Sequence, residues 1–221
     1  MNKPLTWTSF QVVNKLKWLI KQHPSLIVEG QKIKPKIGHA GTLDPLATGL
    51  LIICTGKKTK EIEQYQAREK EYTGTFYIGA TTPCFDLEKE IDVRYPTEHI
   101  TKELILQTAK SFEGIQQQTP PIYSAVRING KRAYDLARSG EEPEIKAREV
   151  ELKEVEITRI ELPYVDFRVV CSKGTYIRSL ARDFGLALNS GAHLTALCRT
   201  RIGEFRLEDA STIEGFQSQV Q

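Results

Sequence analysis

The residues able to do chemistry gather in three short stretches of this chain. The densest is Gly38-His39-Ala40-Gly41-Thr42-Leu43-Asp44-Pro45-Leu46-Ala47-Thr48-Gly49. It sets one carboxylate among three glycines, with a histidine five residues upstream. Glycine lets the backbone turn tightly or approach another group closely, and Pro45 disfavours the α region for Asp44. Two readings are open. Asp44 as N-cap with Pro45 at the first helical position is a good helix start, which Gly49 would close. A carboxylate held on a loop between glycines is also a way to present a nucleophile. The nearby Gly56-Lys57-Lys58-Thr59 invites a phosphate-loop reading, but the position that should carry the leading glycine is Leu51. The glycine cradle is missing, and an NTPase is excluded.

The second stretch is Cys171-Ser172-Lys173-Gly174-Thr175-Tyr176-Ile177-Arg178-Ser179-Leu180-Ala181-Arg182-Asp183. A strand ends, Gly174 turns the chain and a helix begins, and helix N-termini attract anions. Tyr176 and Arg178 fall in its first turn, where they could face a ligand. Arg178 needs a carboxylate partner, and Asp44 is the informative candidate because an arginine beside an acid keeps it ionised. The third stretch, Pro120 to Gly140, interleaves Tyr123 and Tyr134 with Arg127, Lys131, Arg132 and Arg138. Tyrosine mixed with cations suits RNA, by stacking and phosphate pairing. An ordinary amphipathic helix beside a tyrosine-bearing strand would look the same.

The elements that must position these groups read as strands and helices in irregular alternation. Residues 10–22 place Val12, Val13, Leu16, Leu19 and Ile20 on one helical face. Residues 23–36 are loop-like, Leu50–Cys54 reads as a buried strand and Lys57–Glu69 as a helix. Tyr72–Ile78 alternates as a strand. Residues 101–112 form a helix with Thr101 as N-cap and Gly114 past its end. Lys131–Ser139 is a short helix closed by Gly140. Val150–Ile160 and Val165–Cys171 are strands, Gly174 opens a helix to about Asn189, and Leu194–Arg201 returns as a strand. This pattern predicts a single α+β domain over 1–221, a mixed, mostly antiparallel sheet flanked by helices.

With 40% hydrophobic and 27% charged residues, the composition is that of an ordinary globular chain. No apolar run approaches the ~20 residues that span a bilayer, and the N-terminus has no leader pattern, so a cytoplasmic location is expected. Cys54, Cys84, Cys171 and Cys198 form no close pair and read as free thiols. The formal net charge is only +3, but seven Lys/Arg face one acid in 1–38, and seven face two in 168–206. Such a basic face favours a polyanion, RNA or DNA first.

Together the three stretches resemble the TruB family of pseudouridine synthases. The Gly38–Gly49 segment is similar to that family's catalytic motif almost letter for letter. Lys3-Pro4 with Thr8-Ser9, Tyr72 on a strand, Tyr123-Ser124-Ala125 and Lys173-Gly174-Thr175-Tyr176-Ile177-Arg178 follow in the expected order. Gly191-Ala192-His193 and Leu197-Cys198-Arg199 complete the set. The resemblance implies the pseudouridine synthase fold, tRNA as substrate through its T stem-loop, no metal, no cofactor, and a monomer is expected. It implies that Asp44 is the nucleophile, that Tyr72 stacks on the target base and can move a proton, and that Arg178 pairs with Asp44. His39 would hold the splayed loop and Leu197 would wall the uracil pocket. Tyr176, Lys131 and Lys173 are the further RNA contacts expected.

The chain departs from the family pattern in places. Thr6 stands where the family usually has glycine, and residues 23–36 are longer than the usual link to the catalytic motif. The Thr-x-Thr-x-x-Asp pattern is only partly kept in Thr81-Thr82-Pro83-Cys84-Phe85-Asp86. The chain stops soon after Arg206-Leu207-Glu208-Asp209-Ala210, so the C-terminal RNA-binding (PUA) domain common in the family is expected to be absent. The basic N-terminal stretch and Lys131–Arg138 would then supply RNA affinity. A non-catalytic RNA-binding protein on the same fold, or a synthase acting on another structured RNA, are the competing readings.

Overall fold

The computed structural model describes residues 1–23, 27–28, 31–32, 34–124, 126–128, 130–133 and 144–220, with backbone alone for 27, 28, 31, 32, 127, 128, 131 and 132. In chain order the elements begin with β1 (Asn2–Lys3), α1 (Ser9–Gln22), β2 (Ile27–Val28), β3 (Gln31–Lys32), β4 (Ile37–His39), β5 (Ala47–Leu50) and β6 (Ile53–Thr55). A 3-10 helix (Gly56–Glu61), α2 (Ile62–Ala67), β7 (Lys70–Ile78), β8 (Ala80–Thr81), β9 (Val93–Arg94), α3 (Lys102–Ser111) and β10 (Gly114–Gln118) follow. The last are β11 (Arg127–Ile128), β12 (Lys131–Arg132), β13 (Arg148–Glu161), β14 (Tyr164–Cys171), α4 (Ile177–Ala187), β15 (Ala192–Ile202), β16 (Phe205–Arg206) and α5 (Ile213–Val220). The chain packs as two compact units, Met1–Tyr72 with Leu197–Gln221, and Thr73–Ala196. It leaves the first unit inside β7 and returns to it inside β15.

In the first unit, Thr8 caps α1. Its hydroxyl accepts from the Gln11 N–H, while the Gln11 side chain accepts from the Thr8 N–H at 2.7 Å. Such a reciprocal cap contributes about 1 kcal/mol. Val12, Leu16 and Leu19 recur at helical spacing and pack with Leu51 and Ile213 into a core. Each buried aliphatic side chain contributes about 1.5–3 kcal/mol by transfer from water. The helix stops at His23, which is extended because Pro24 follows it. β1 pairs antiparallel with β5, and β5 pairs parallel with β15, so the sheet here is mixed. Gly49 lies opposite Arg199 with φ +102, and a Cβ there would stand 2.3 Å from the Arg199 carbonyl oxygen. Only glycine allows the two strands to close at that point.

In this unit one of the two open readings of Asp44 is closed and two sequence expectations are corrected. Asp44-Pro45 does not start a helix. The Asp44 carbonyl accepts from the Ala47 N–H at 3.1 Å in a turn, and the chain enters β5 directly. Pairing of Ala47, Thr48 and Gly49 with β15 overrides the local cap signal. Leu50–Cys54 is not one strand, because Leu51 donates to the Met1 carbonyl and Ile52 accepts from Ala40, after which β6 pairs separately with β4. The helix expected over Lys57–Glu69 begins as a 3-10 helix with no buried residue and becomes α-helical only over Ile62–Ala67. Without an apolar face the first half has nothing to pack.

In the second unit the strand order is β15-β7-β14-β13-β10. Along β13 the buried parity switches from Val150 and Leu152 to Val155, because a register shift between Leu152 and Glu154 inserts one residue. The core stacks Phe76 between Phe167 and Phe184, with ring centroids 4.1 and 5.1 Å apart. α3, capped by Thr101, packs on β13 and α4. α4 starts at Ile177, not at Gly174. Gly174, at φ +83, turns the chain first, and Ile177, Leu180, Ala181 and Phe184 then bury one face. Lys131 and Arg132 are a strand paired with Arg127–Ile128, not the start of a helix. Residues 134–139, the rest of that expected helix, lie outside the described residues. The four cysteines are free thiols, three of them buried. No helix among the described residues is long and apolar enough to cross a membrane.

Candidate active site

Asp44 is carried on a loop that leaves β4, passes Gly41 at φ +98 and enters β5. The loop is bonded down along its length. Ser9, the first residue of α1, accepts the Leu43 N–H at 2.9 Å and donates to the Leu43 carbonyl at 3.2 Å. The Thr6 N–H donates to the Pro45 carbonyl at 2.8 Å. Leu43 and Ala47 are buried on either side of half-buried Asp44.

Two fully buried cations hold the same loop. The Lys3 ammonium donates to the carbonyls of Pro4 (3.0 Å), Trp7 (2.5 Å) and Pro45 (3.3 Å), which uses its three N–H groups. Arg199 on β15 donates to the carbonyls of Leu50 (2.8 Å), Gly41 (3.1 Å) and Thr42 (3.5 Å). Lys3 and Arg199 stand within the family-like motifs, but the residues beside them carry no signal that either cation is buried.

Burial pushes the Lys3 ammonium down to about 8 from its ordinary 10.5, the Asp44 carboxylate opposing and Arg199 adding to the drop. Below about 8 the group is charged in both folded and unfolded chains. Between about 8 and 10.5 the unfolded chain binds more protons, so this group's contribution to stability rises with pH. A neutral amine has only two N–H groups for three carbonyls, so the hold on the loop weakens over that range. The expected outcome is a kcat/KM that falls with an apparent pKa of about 8, while the Tm of the native protein gains on that of Lys3→Met between pH 8 and 10. A flat alkaline profile together with a constant Tm difference would refute it. His39 sits half-buried on β4. Burial lowers its imidazole below the ordinary value, with Arg199 acting the same way and the Gly41 backbone opposing, so it is neutral at pH 7.

Thr6 adopts φ 69, a left-handed conformation that costs a β-branched residue about 1–2 kcal/mol. This accounts for glycine as the residue expected there. Thr6→Gly should raise stability by roughly 0.5–1 kcal/mol after the entropic cost of glycine, seen as a Tm gain of about 1–4 °C. A lower Tm would show that the strain is absent.

Tyr72 is buried on β7, at 8% exposure. Leu197 is half-buried on β15 opposite Ala47, and its carbonyl accepts from Thr48 at 3.4 Å. In the second unit, Arg178 is 4% exposed on the first turn of α4. It donates to the carbonyls of Tyr123 (2.9 Å) and Cys84 (3.3 Å), and its Nε stands 3.6 Å from the buried Asp86 carboxylate. Asp86 ends the imperfect Thr-x-Thr-x-x-Asp pattern, and its pairing with Arg178 arises from the fold, not from residue order. Tyr176 caps α4, exchanges hydrogen bonds with Gln118 at 2.8 and 3.1 Å, and lies 4.7 Å beneath the Arg148 guanidinium. Lys173 is exposed beside Gly174. The Lys131 side chain lies outside the described residues. No group of His, Cys, Asp and Glu among the described residues stands at metal-holding spacing.

Residues 29–177 match the family described as TruB family pseudouridylate synthase (N terminal domain). This chain belongs to the TruB family. Residues 178–221 match the tRNA pseudouridylate synthase B C-terminal domain. Among similar TruB relatives, tRNA pseudouridine synthase B of Flavobacterium johnsoniae is 59% identical, covering 100% of this chain and 94% of that protein. Its counterpart in Phocaeicola vulgatus is 58% identical, covering 97% and 89%. Among solved structures, an H/ACA RNP bound to a substrate RNA containing 2'-deoxyuridine aligns with TM-score 0.68 at 28% identity. The archaeal box H/ACA sRNP Nop10-Cbf5 complex gives 0.67 at 27%. Each covers 98% of this chain, which spans 51% of the solved one. The α+β fold with a mixed sheet and flanking helices is thus the TruB family's fold.

Proposed function

We propose that the protein is an RNA isomerase that converts one T-loop uridine of tRNA to pseudouridine, with Asp44 as nucleophile. The observation that carries this reading is the loop bearing half-buried Asp44, whose backbone is fixed by Ser9, Lys3 and Arg199. Relatives 58–59% identical and named tRNA pseudouridine synthase B supply the substrate class.

The target base must leave its stack, at a cost of a few kcal/mol, and stacking on Tyr72 would return about 1–3 kcal/mol. Leu197 walls the uracil and His39 holds the splayed loop. Arg178 is the arginine assigned to keep Asp44 ionised, and Tyr176, Lys173 and Lys131 contact the RNA. The bond from ribose C1′ to uracil N1 breaks, the base turns, and a C1′–C5 bond forms. C5 loses a proton and N1 gains one. Asp44 attacks the ribose, attacks the base or drives glycal formation, three routes with the same balance. No electron is gained or lost, so the reaction asks for no redox cofactor. The enzyme is proposed to act as a cytoplasmic monomer.

The test is pseudouridine content in an unmodified tRNA transcript and an isolated T stem-loop after incubation with the protein. Modification of a single T-loop uridine supports the reading. Binding without modification would make the chain an RNA-binding protein, and modification of another structured RNA alone would move the substrate.

A further inference from the structure

The outer face of α1 is left uncovered by the fold. Phe10 is 67% exposed and Trp18 54% exposed. They are eight residues apart, about 80° around the helix axis, so both rings lie on its outer side without stacking one above the other. Lys21 shares this face, Lys15 and Lys17 flank it, and the helix contains no acid. The Lys15 Nζ stands 4.8 Å over the Trp18 ring. Exposed Asn14 lies between the two rings. The face therefore presents separate rings framed by cations, not the continuous apolar stripe of a membrane-surface or protein-docking helix. The face is also tied to the site. Ser9, one residue before Phe10, bonds both backbone groups of Leu43, the neighbour of Asp44. From there the 14 residues of α1 run about 21 Å.

We propose that this face is a second RNA-contact surface, which holds unpaired nucleotides of the same tRNA outside the target loop. The rings stack on bases and the lysines pair with phosphates. This rests on the synthase reading above, because it takes tRNA as the substrate.

The test compares the full chain with Phe10→Ala/Trp18→Ala and with Lys15→Gln/Lys17→Gln/Lys21→Gln, on unmodified tRNA and on the isolated T stem-loop. Loss of the rings should raise KM for tRNA roughly tenfold or more, with kcat and all T stem-loop kinetics unchanged. Loss of the lysines should reduce the slope of log affinity against log salt by roughly 2. In a Trp7→Phe background, tRNA should quench Trp18 emission and the T stem-loop should not. Unchanged tRNA KM in active variants overturns the surface and leaves the synthase reading standing. Self-association or vesicle binding that disappears with the rings, while tRNA KM stays constant, also overturns it. If the native protein makes no pseudouridine, the synthase reading fails by itself. The surface is then decided by Trp18 quenching with tRNA, whose absence overturns it.

Discussion

Asp44→Asn is expected to abolish pseudouridine formation, with turnover down at least about a thousandfold, while tRNA binding and fold persist. Asparagine is close to aspartate in shape, but it is neither an anion nor a nucleophile, so what is lost is chemistry. The loop should keep its course. The hydrogen bond at Asp44 that turns the chain into β5 is made by its carbonyl, not its side chain. Ser9, Lys3 and Arg199 all bond backbone atoms of the loop. Tm should therefore stay within about 2 °C of native, and tRNA Kd within about threefold. A second consequence is specific to this arrangement. The Asp44 carboxylate holds the Lys3 ammonium up against the effect of burial, so Asp44→Asn should move the Lys3 titration further below 8. Single-turnover pseudouridine assays, thermal melts and filter binding measure turnover, stability and affinity, and melts repeated at alkaline pH follow the Lys3 titration. Wild-type turnover in the variant removes Asp44 from the chemistry, and loss of binding together with turnover makes it a structural residue instead.

Much of this was readable from residue order. The strands of β7, β13 and β14 and the helices α1 and α3 follow from periodicity, with the Thr101 cap at α3, and the free thiols follow from the wide spacing of the cysteines; all of these are local signals. What failed was decided by distant parts of the chain. Asp44-Pro45 carries a helix-start signal as good as that of Thr101, yet its successors Ala47 to Gly49 are claimed by β15, some 150 residues away. Leu51 and Ile52 read as the middle of a strand, but their backbone groups bond Met1 and Ala40. The candidate site divides along the same line. The motif around Asp44 stands out by its glycines and proline. Lys3 and Arg199 look like surface cations until the fold closes around them. Asp86 becomes a partner for Arg178 only when α4 and the loop after β8 meet within the second unit. Thr6 shows the converse, since its departure from the family pattern became intelligible once its φ of 69 was seen.

Arg199→Met is expected to have the second largest effect, and it separates positioning from chemistry. Arg199 is 1% exposed and serves three carbonyls, two of them in the loop before Asp44 and one at the end of β5. Methionine can fill much of the space, but it donates nothing, so buried carbonyls lose their partners at about 1–3 kcal/mol each. A total loss of roughly 2–4 kcal/mol should lower Tm by about 5–15 °C in a chain of this size. Turnover should fall more steeply than stability predicts, because Gly41 and Thr42 set the approach of Asp44 and a displacement of about 1 Å can cost a hundredfold. Below the shifted Tm, the signature is a lowered kcat with tRNA KM nearly constant. Arg199→Lys tests the mechanism, since a single ammonium has donors but not the planar fork that spans Leu50 and Gly41 together. It should recover part of the lost Tm and little of the kcat. Equal recovery of both would mean that buried charge, rather than the geometry of the fork, is what the loop requires. A Met variant that melts low but turns over normally would leave Arg199 as a core residue with no part in holding Asp44.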